Sequence, residues 1–446
     1  MRILIFHGYM LRGTGSNIYN LNLARALAKL GHEVHLLCQD RRVRIEGVEI
    51  HNPDIHGLLP VYVKDPYEGF EVKAFPELSD EELDRYVEAN VEAVRDVAAR
   101  AGDIDAALAN HLVMGPAILA RADLCDYAVK IHGSALEYTV KPHPRFLPYA
   151  AEGLEAANGI LVGSRHTAES LWAALPDVPD LEEKTRLGPP GVNTEIFRPA
   201  AAPPASRVVF VGKLIVSKGV DLLLAAWPLI SERHPDAKLE IAGYGEYEDG
   251  LRKLLAALEA GNLDEARAIA AAGWSLEGGE ERPLPILSAF LADPPAGYQD
   301  ACRSAAGSVE LIGRLEHDEV AKLLPGAEAL VMPSTFPEAF GMVAAEAAAC
   351  GVLPVSAGHS GMLEVSRQLQ AALPPDVGRM TSFPVEQGAV EAIAERLNGW
   401  LRLPEERRVA AREALVETAR RLWSWEGVAR GVIAVSRGDL DRLPDA

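Results

Sequence analysis

Glu338 and Glu346 flank a glycine in the order Glu-x7-Glu, within Glu338-Ala339-Phe340-Gly341-Met342-Val343-Ala344-Ala345-Glu346, directly after the apolar run Ala329-Leu330-Val331-Met332. The order reads as a buried strand, a tight loop and the entrance of a helix. Gly341 turns the backbone at little steric cost, and the N–H groups that follow open a helix, where unpaired donors and the dipole favour an anion such as a diphosphate. Glu346, two turns into that helix, suits paired hydroxyls such as a ribose diol, and Glu338 suits the hydroxyls of a sugar. Lys213 and Lys218 flank a second strand-to-helix loop, where they would neutralise a leaving diphosphate without a metal. No Asp-x-Asp pair stands in the places where one would hold a cation for that purpose. Taken alone, two glutamates around an Ala-rich helix are more often a solvated face, and the lysines serve equally as surface charges. The elements that position them therefore decide the reading.

Those elements form two series of strands that end in glycine. In the first half, Arg2–Phe6 is a short apolar run that leads to His7-Gly8. A Gly-rich loop, Gly13-Thr14-Gly15-Ser16-Asn17, then opens a helix with Leu23, Ala26 and Leu27 at helical spacing and Gly31 as its stop. The strand Glu33–Cys38 completes a βαβ unit whose glycines lack the Gly-x-Gly-x-x-Gly spacing of a dinucleotide fingerprint. Residues 41–80 read as irregular, with short strands near Arg44–Ile50. An amphipathic helix follows from Ser79 to Arg100, its Ser79-Asp80-Glu81-Glu82 opening resembling a capping box. Further strands end before Asn110-His111, His132-Gly133-Ser134 and Gly163-Ser164-Arg165. Ligands of parallel sheets bind at the carboxyl ends of strands, which would put His7, His111, His132 and Ser164 on one edge.

The stretch from Leu187 to Ala205, dense in Pro, Gly and Ala, reads as a linker. A second series then begins. Its strands, near Arg207–Val211, Lys238–Ala242, Val309–Ile312, Ala329–Met332 and Val352–Val355, end at Gly212-Lys213-Leu214, Gly243-Tyr244-Gly245, Gly313-Arg314-Leu315, the Glu338 loop and the 356–361 turn. The pattern predicts an α/β protein of two doubly wound, Rossmann-like domains facing across a cleft, with both sets of strand ends directed into it.

Composition bounds the function. The 446 residues suit two or three domains, and 44 Lys and Arg against 64 Asp and Glu give a net charge of −20. Such a charge opposes binding to nucleic acid or to an anionic membrane face. The four cysteines, Cys38, Cys125, Cys302 and Cys350, lack metal or redox spacing and read as small apolar residues of a reducing compartment, the cytoplasm by default. The apolar opening is too short for a signal peptide or membrane span and reads as a strand.

These residues together resemble the retaining GT-B glycosyltransferases of the family that holds glycogen and sucrose synthase relatives and mannosyltransferases. The likeness rests on Gly212-Lys213-Leu214 with Lys218-Gly219, the Gly243-Tyr244-Gly245 turn, Pro333-Ser334, Glu338 through Glu346, and Cys350-Gly351. In the first half it rests on the Gly13–Asn17 loop, His132-Gly133, and Gly191-Val192-Asn193 through Pro199. The resemblance implies transfer of a sugar from a nucleotide-diphosphate donor to a hydroxyl acceptor, with retention and no bound metal or other cofactor. It implies Lys213 and Lys218 on the diphosphate, Glu346 on the ribose, and Glu338 with the Phe340, Gly341, Met342 and Val343 backbone on sugar and phosphates. Gly15 would approach the diphosphate, His132 would contact the donor sugar near the reacting carbon, and Arg314 and Leu315 would face the base. The family usually carries Arg at the position of Lys213 and Asp at that of Asn193. A lysine keeps the charge and loses the bidentate fork.

The expected domains are 1–199 for the acceptor, 200–421 for the donor, and a helix in 422–446 that by family resemblance returns to the first. Residues 250–307 exceed what a βα connection needs and read as a helical hairpin and further helix, rooted away from the active site and suited to self-association. Two other readings stay open: a nicotinamide-dependent oxidoreductase, opposed by the missing fingerprint, and a non-catalytic nucleotide- or sugar-binding protein of the same fold, opposed by the intact lysines and glutamates.

Overall fold

A computed structural model of the chain describes residues 1–13, 15–63, 67–200 and 206–446. Thr14 of the first Gly-rich loop and linker residues 201–205 lie outside them. The chain forms two compact units, Met1–Gly191 with Trp423–Ala446, and Val192–Leu422.

Unit 1 is built on a parallel sheet. Its strands are β1 (Arg2–Phe6), β2 (Glu33–Leu37), β3 (Val48–His51), β6 (Ala106–Asn110), β7 (Tyr127–Lys130), β8 (Gly159–Val162) and β9 (Thr185–Leu187), in the order β3-β2-β1-β6-β7-β8-β9. A separate parallel pair, β4 (Leu58–Val61) and β5 (Glu71–Ala74), lies in the region expected to be irregular. Alternate residues of β1 feed opposite faces. Leu4 and Phe6 join the core under the helix Asp80–Ala101, with Leu83, Val87, Val91 and Val94. Ile3 and Ile5 join the other core with Tyr19, Leu23 and Leu27 of the helix Gly15–Lys29. The helix Trp425–Ser436 packs on that same face through Trp425, Ala429, Val432 and Val435, and Ser436 Oγ donates to Ala107 O at 2.8 Å. Ser79 caps the helix Asp80–Ala101, accepting from Glu82 N while the Glu82 carboxylate accepts from Ser79 N.

Unit 2 carries β10 (Arg207–Val211), β11 (Lys238–Ala242), β12 (Val309–Gly313), β13 (Ala329–Met332), β14 (Leu353–Ala357) and β15 (Ser382–Phe383), all parallel, in the order β12-β11-β10-β13-β14-β15. Chain order reverses at β1/β6 in unit 1 and at β10/β13 in unit 2. At such a switch point the loops after neighbouring strands diverge to opposite faces and leave a crevice at the strand ends. The extra segment folds as helices Glu248–Glu259, Leu263–Ala272, Pro285–Ala292 and Tyr298–Ser304 with a 3-10 turn at Trp274–Glu277. Its apolar faces, including Leu254, Ile269 and Leu287, are buried, and Tyr298 Oη donates to Ala225 O at 2.7 Å. No helix among the described residues is long and apolar enough to cross a membrane.

Candidate functional site

The unit 2 site grows from the switch point. β10 ends at Gly212, and the loop beyond it passes Lys213 to a 3-10 turn, Val216–Lys218, before the helix Val220–Ser231. The loop after β13 must run beside this turn. Gly219 makes that approach feasible: its φ is +65°, and a Cβ there would stand 2.0 Å from Pro333 O. Thr335 N donates to Ser217 O at 2.8 Å and ties the two loops together.

Side chains converge across this seam. Lys218 Nζ donates to Glu338 Oε1, which also accepts from Ser334 Oγ at 2.8 Å. The loop after β14 braces the glutamate from the other side, because Ser360 Oγ accepts from Glu338 N at 2.9 Å and Gly361 N donates to Glu338 O at 2.9 Å. His359 Nε2 meets Ser334 O at 2.8 Å. Gly341, at φ +104°, precedes the helix Met342–Ala349. Ala344 makes the first backbone bond back to Gly341, so the N–H groups of half-buried Met342 and Val343 stand at the helix entrance beside buried Phe340.

Glu346 is buried in that helix, and its Oε1 meets His317 Nε2 at 2.7 Å. The His317 ring lies 4.9 Å from that of Phe197. Arg314, past β12, lies over the Tyr244 ring at 4.8 Å and pairs with Glu316 at 2.9 Å, while Leu315 beside it is half-buried. The structure thus joins Lys218 directly to Glu338 and seats Lys213 in the same loop, while Glu346 pairs with His317 and Arg314 with Tyr244. The direct ion pair differs from the separate duties expected of Lys218 and Glu338. Opposite charges on adjoining loops pair directly. His317, Ser360 and His359 were absent from the sequence reading of the site. Their signal was positional, since each follows a strand of the same sheet edge.

The extra segment corrects an expectation. Its 3-10 turn is not remote from the lysines, for Glu277 Oε2 accepts from Val216 N at 2.7 Å and caps the turn that carries Lys218. Burial, foremost, and the charge of Glu246 raise the Glu277 carboxyl above its ordinary pKa, against the bond from Val216 N, which lowers it.

The switch point of unit 1 gathers imidazoles. Asn110 fixes the proton of His132: its Nδ2 donates to Phe6 O at 3.1 Å, so Oδ1 is the acceptor for Asn20 Nδ2 at 3.0 Å and for His132 Nε2 at 2.8 Å. His132 therefore carries its proton on Nε2 and its lone pair on Nδ1. Burial, then the nearby His111, Lys130 and His7, hold its pKa well below the ordinary value. His111, in the left-handed region at φ +68°, stacks near His7 and His132, and its ring nitrogens have no hydrogen-bond partner among the described residues. Lys130, which the sequence reading passed over as part of a strand, is buried with Nζ donating to Gly188 O at 2.5 Å, and burial lowers its pKa to about 7. Gly15 is exposed at the start of its helix. Ser164 caps the helix Arg165–Ala174 and has a structural role.

His7 gives a pH prediction. Its Nε2 faces Met10 O and Asn17 Oδ1, both at 2.9 Å, and burial lowers its pKa from 6.5 to about 4 despite these bonds. The unfolded ring takes up its proton first, so stability is complete above pH 6.5 and is lost as the pH falls toward about 4. His111 shifts the same way. Urea midpoints are expected to fall across that window, and His7→Gln to reduce the slope; an unchanged slope would remove His7 as a contributor.

Comparison with known proteins places these observations in context. Residues 13–196 match the family described as Glycosyltransferase Family 4, and residues 193–263 and 301–419 match Glycosyl transferases group 1. The interval between the latter two falls within the extra helical segment. A D-inositol 3-phosphate glycosyltransferase of Pseudarthrobacter chlorophenolicus is 26% identical over 78% of this chain and 75% of its own length. An uncharacterized glycosyltransferase of Methanocaldococcus jannaschii is 26% identical over 53% of this chain, which spans only 46% of that relative. Among solved structures, the Anabaena protein HepE in complex with UDP and glucose superposes with a TM-score of 0.60 at 13% identity, over 97% of this chain and 98% of that one.

Proposed function

Because this chain belongs to the GT-B glycosyltransferases, with a Family 4 first half and a group 1 second half, we propose that it moves a hexose from a nucleotide-diphosphate sugar to a hydroxyl acceptor, with retention and without a metal. The observation that carries this reading is the Lys218–Glu338 ion pair beside the Gly341 helix entrance, at the β10/β13 switch point. A donor diphosphate replaces Glu338 as the partner of Lys218, and Lys213 adds a second charge. Met342 and Val343 N–H groups donate to the phosphate oxygens. Glu338, released, turns to the sugar hydroxyls, Glu346 held by His317 takes the ribose diol, and Arg314 and Leu315 border the base. The UDP and glucose held by the Anabaena protein support a nucleoside diphosphate and a hexose as ligands.

Charge grows on the leaving phosphate as the sugar–phosphate bond breaks, and the lysines and helix entrance stabilise it without reorganising. The acceptor hydroxyl attacks the oxocarbenium-like carbon from the face the phosphate leaves, and a phosphate oxygen takes its proton. Configuration is retained, and no protein carboxylate acts as the nucleophile that a retaining glycosidase requires. In unit 1, neutral His132 offers the Nδ1 lone pair to a sugar hydroxyl. The net charge of −20 favours a soluble acceptor over an anionic lipid surface.

A thermal-shift panel of UDP, GDP, ADP and TDP, without added metal and with NAD as control, tests the reading. One nucleoside diphosphate at 100 times its dissociation constant is expected to add about 2.7 kcal/mol of stability. Stabilisation by NAD alone, or by none of the panel, would defeat it.

A further inference from the structure

The edge of the unit 1 sheet carries one tripeptide pattern twice, Glu33-Val34-His35 in β2 and Glu49-Ile50-His51 in β3. The parallel register sets His35 opposite Glu49 and Leu37 opposite His51. Alternate residues of a strand share a face, so all four polar side chains project from the same side of the sheet. None of them belongs to the imidazole cluster at the β1/β6 switch point.

The protons of this cluster can be placed. His35 Nε2 lies 3.2 Å from Glu33 Oε1, an acceptor only, so in the neutral ring that nitrogen carries the proton and Nδ1 keeps its lone pair. The lone pair faces His51 Nε2 at 3.1 Å and Glu49 Oε2 at 3.6 Å, while Glu49 Oε1 lies 3.8 Å from His51 Nε2. A tetrahedral zinc ion, about 2.0–2.2 Å from nitrogen and oxygen ligands, separates those ligands by about 3.3–3.6 Å. The separations of 3.1, 3.6 and 3.8 Å, which involve both oxygens of Glu49, bracket that range, and one ligand atom from each residue lies within 4.8 Å of the other two. Glu33 supplies the outer carboxylate that fixes a ligating imidazole, and its second oxygen is steadied by Arg2 Nε at 3.5 Å. His35 is buried, whereas the Glu49 side chain is 66% exposed and gives an ion its way in. Arg100, on the helix Asp80–Ala101, is the opposing charge that reaches His51, where the Glu49 carboxylate acts against it.

We propose that His35 Nδ1, His51 Nε2 and Glu49 bind one divalent transition-metal ion of the zinc class, with a water molecule in the fourth position. The ion clips edge strand β3 to β2 and plays no part in sugar transfer. His51 then takes the tautomer with its proton on Nδ1, and the ring-to-ring contact becomes a shared ligation.

Cobalt(II) titration of the metal-stripped full chain, read by visible absorption, tests this. A single equivalent is expected to give the bands of tetrahedral cobalt, to be displaced by zinc, and to lose its site in His51→Asn. Glu33→Gln should weaken binding by about 10–100-fold, as loss of an outer carboxylate does. Glu49→Gln alters an exposed side chain and keeps the test open should His51→Asn misfold, with circular dichroism as the check; it too must weaken binding. No saturable band, or a band unchanged in both His51→Asn and Glu49→Gln, overturns the site and leaves a hydrogen bond between two rings.

Discussion

Lys218→Met is expected to lower kcat by about 10²–10³-fold, or on the order of 2.7–4 kcal/mol, the loss that follows removal of one preorganised donor from a site where charge develops. Two effects act in the same direction. The departing phosphate loses a cation, and Glu338, no longer neutralised by Lys218, presents its charge to the diphosphate. Glu338→Gln separates them, since it frees Lys218 from its counter-charge and replaces a charged acceptor of sugar hydroxyls by a neutral amide; its kcat should fall as well, with donor affinity better preserved. Steady-state kinetics with the sugar of whichever nucleotide stabilises the protein, beside circular dichroism, gives the answer. A Lys218→Met enzyme turning over within a factor of three of the parent would dismiss this lysine from the reaction.

The second large effect concerns stability. Glu328, buried just before β13, accepts from Arg412 Nη2 at 2.5 Å, and Arg412, also largely buried, reaches Glu405 at 3.0 Å. The backbone of Glu328 is equally committed: its N donates to Arg207 O at 2.7 Å and its O accepts from Trp400 Nε1 at 3.0 Å. The carboxylate therefore cannot swing to water when its partner goes. Arg412→Met should cost about 3–5 kcal/mol, the penalty of an uncompensated buried charge. Adding Glu328→Gln should recover part of that loss, because the remaining group is then neutral. Urea unfolding of parent, single and double variants measures this, and a single-variant loss below about 1 kcal/mol, the usual worth of a surface pair, would contradict it.

Much of the scaffold was legible as short apolar runs, three of which, β8, β10 and β11, are followed directly by a glycine. β8, β10, β11 and β13 lie at the residues the apolar runs marked. β4 and β5 escaped notice because a proline in the first and two charged residues in the second interrupt their apolar runs, and β15 has two residues, too few for any period to declare itself. In the site, the Glu338 loop and the helix entrance could be read from order alone, as both are local. The Lys218–Glu338 pair could not, for the partners stand 120 residues apart and meet only because β10 and β13 are neighbours. His317 finds Glu346 across 29 residues for a similar reason. The polar cluster of unit 1 was legible as histidines at strand ends, whereas the tautomer of His132 depends on Asn110, whose amide is oriented by a carbonyl of β1.

The bond between Glu277 and Val216 N has a further consequence. Val216 opens the turn that ends in Lys218, so the backbone leading to the lysine is fastened first by β10 and again, nearer the lysine, by a segment outside the basic βα plan. Whatever grips or shifts the Trp274–Glu277 turn from outside changes the tension on that fastening before it touches any reacting group. The position of the turn that carries Lys218 thus depends on the extra helices as well as on the sheet.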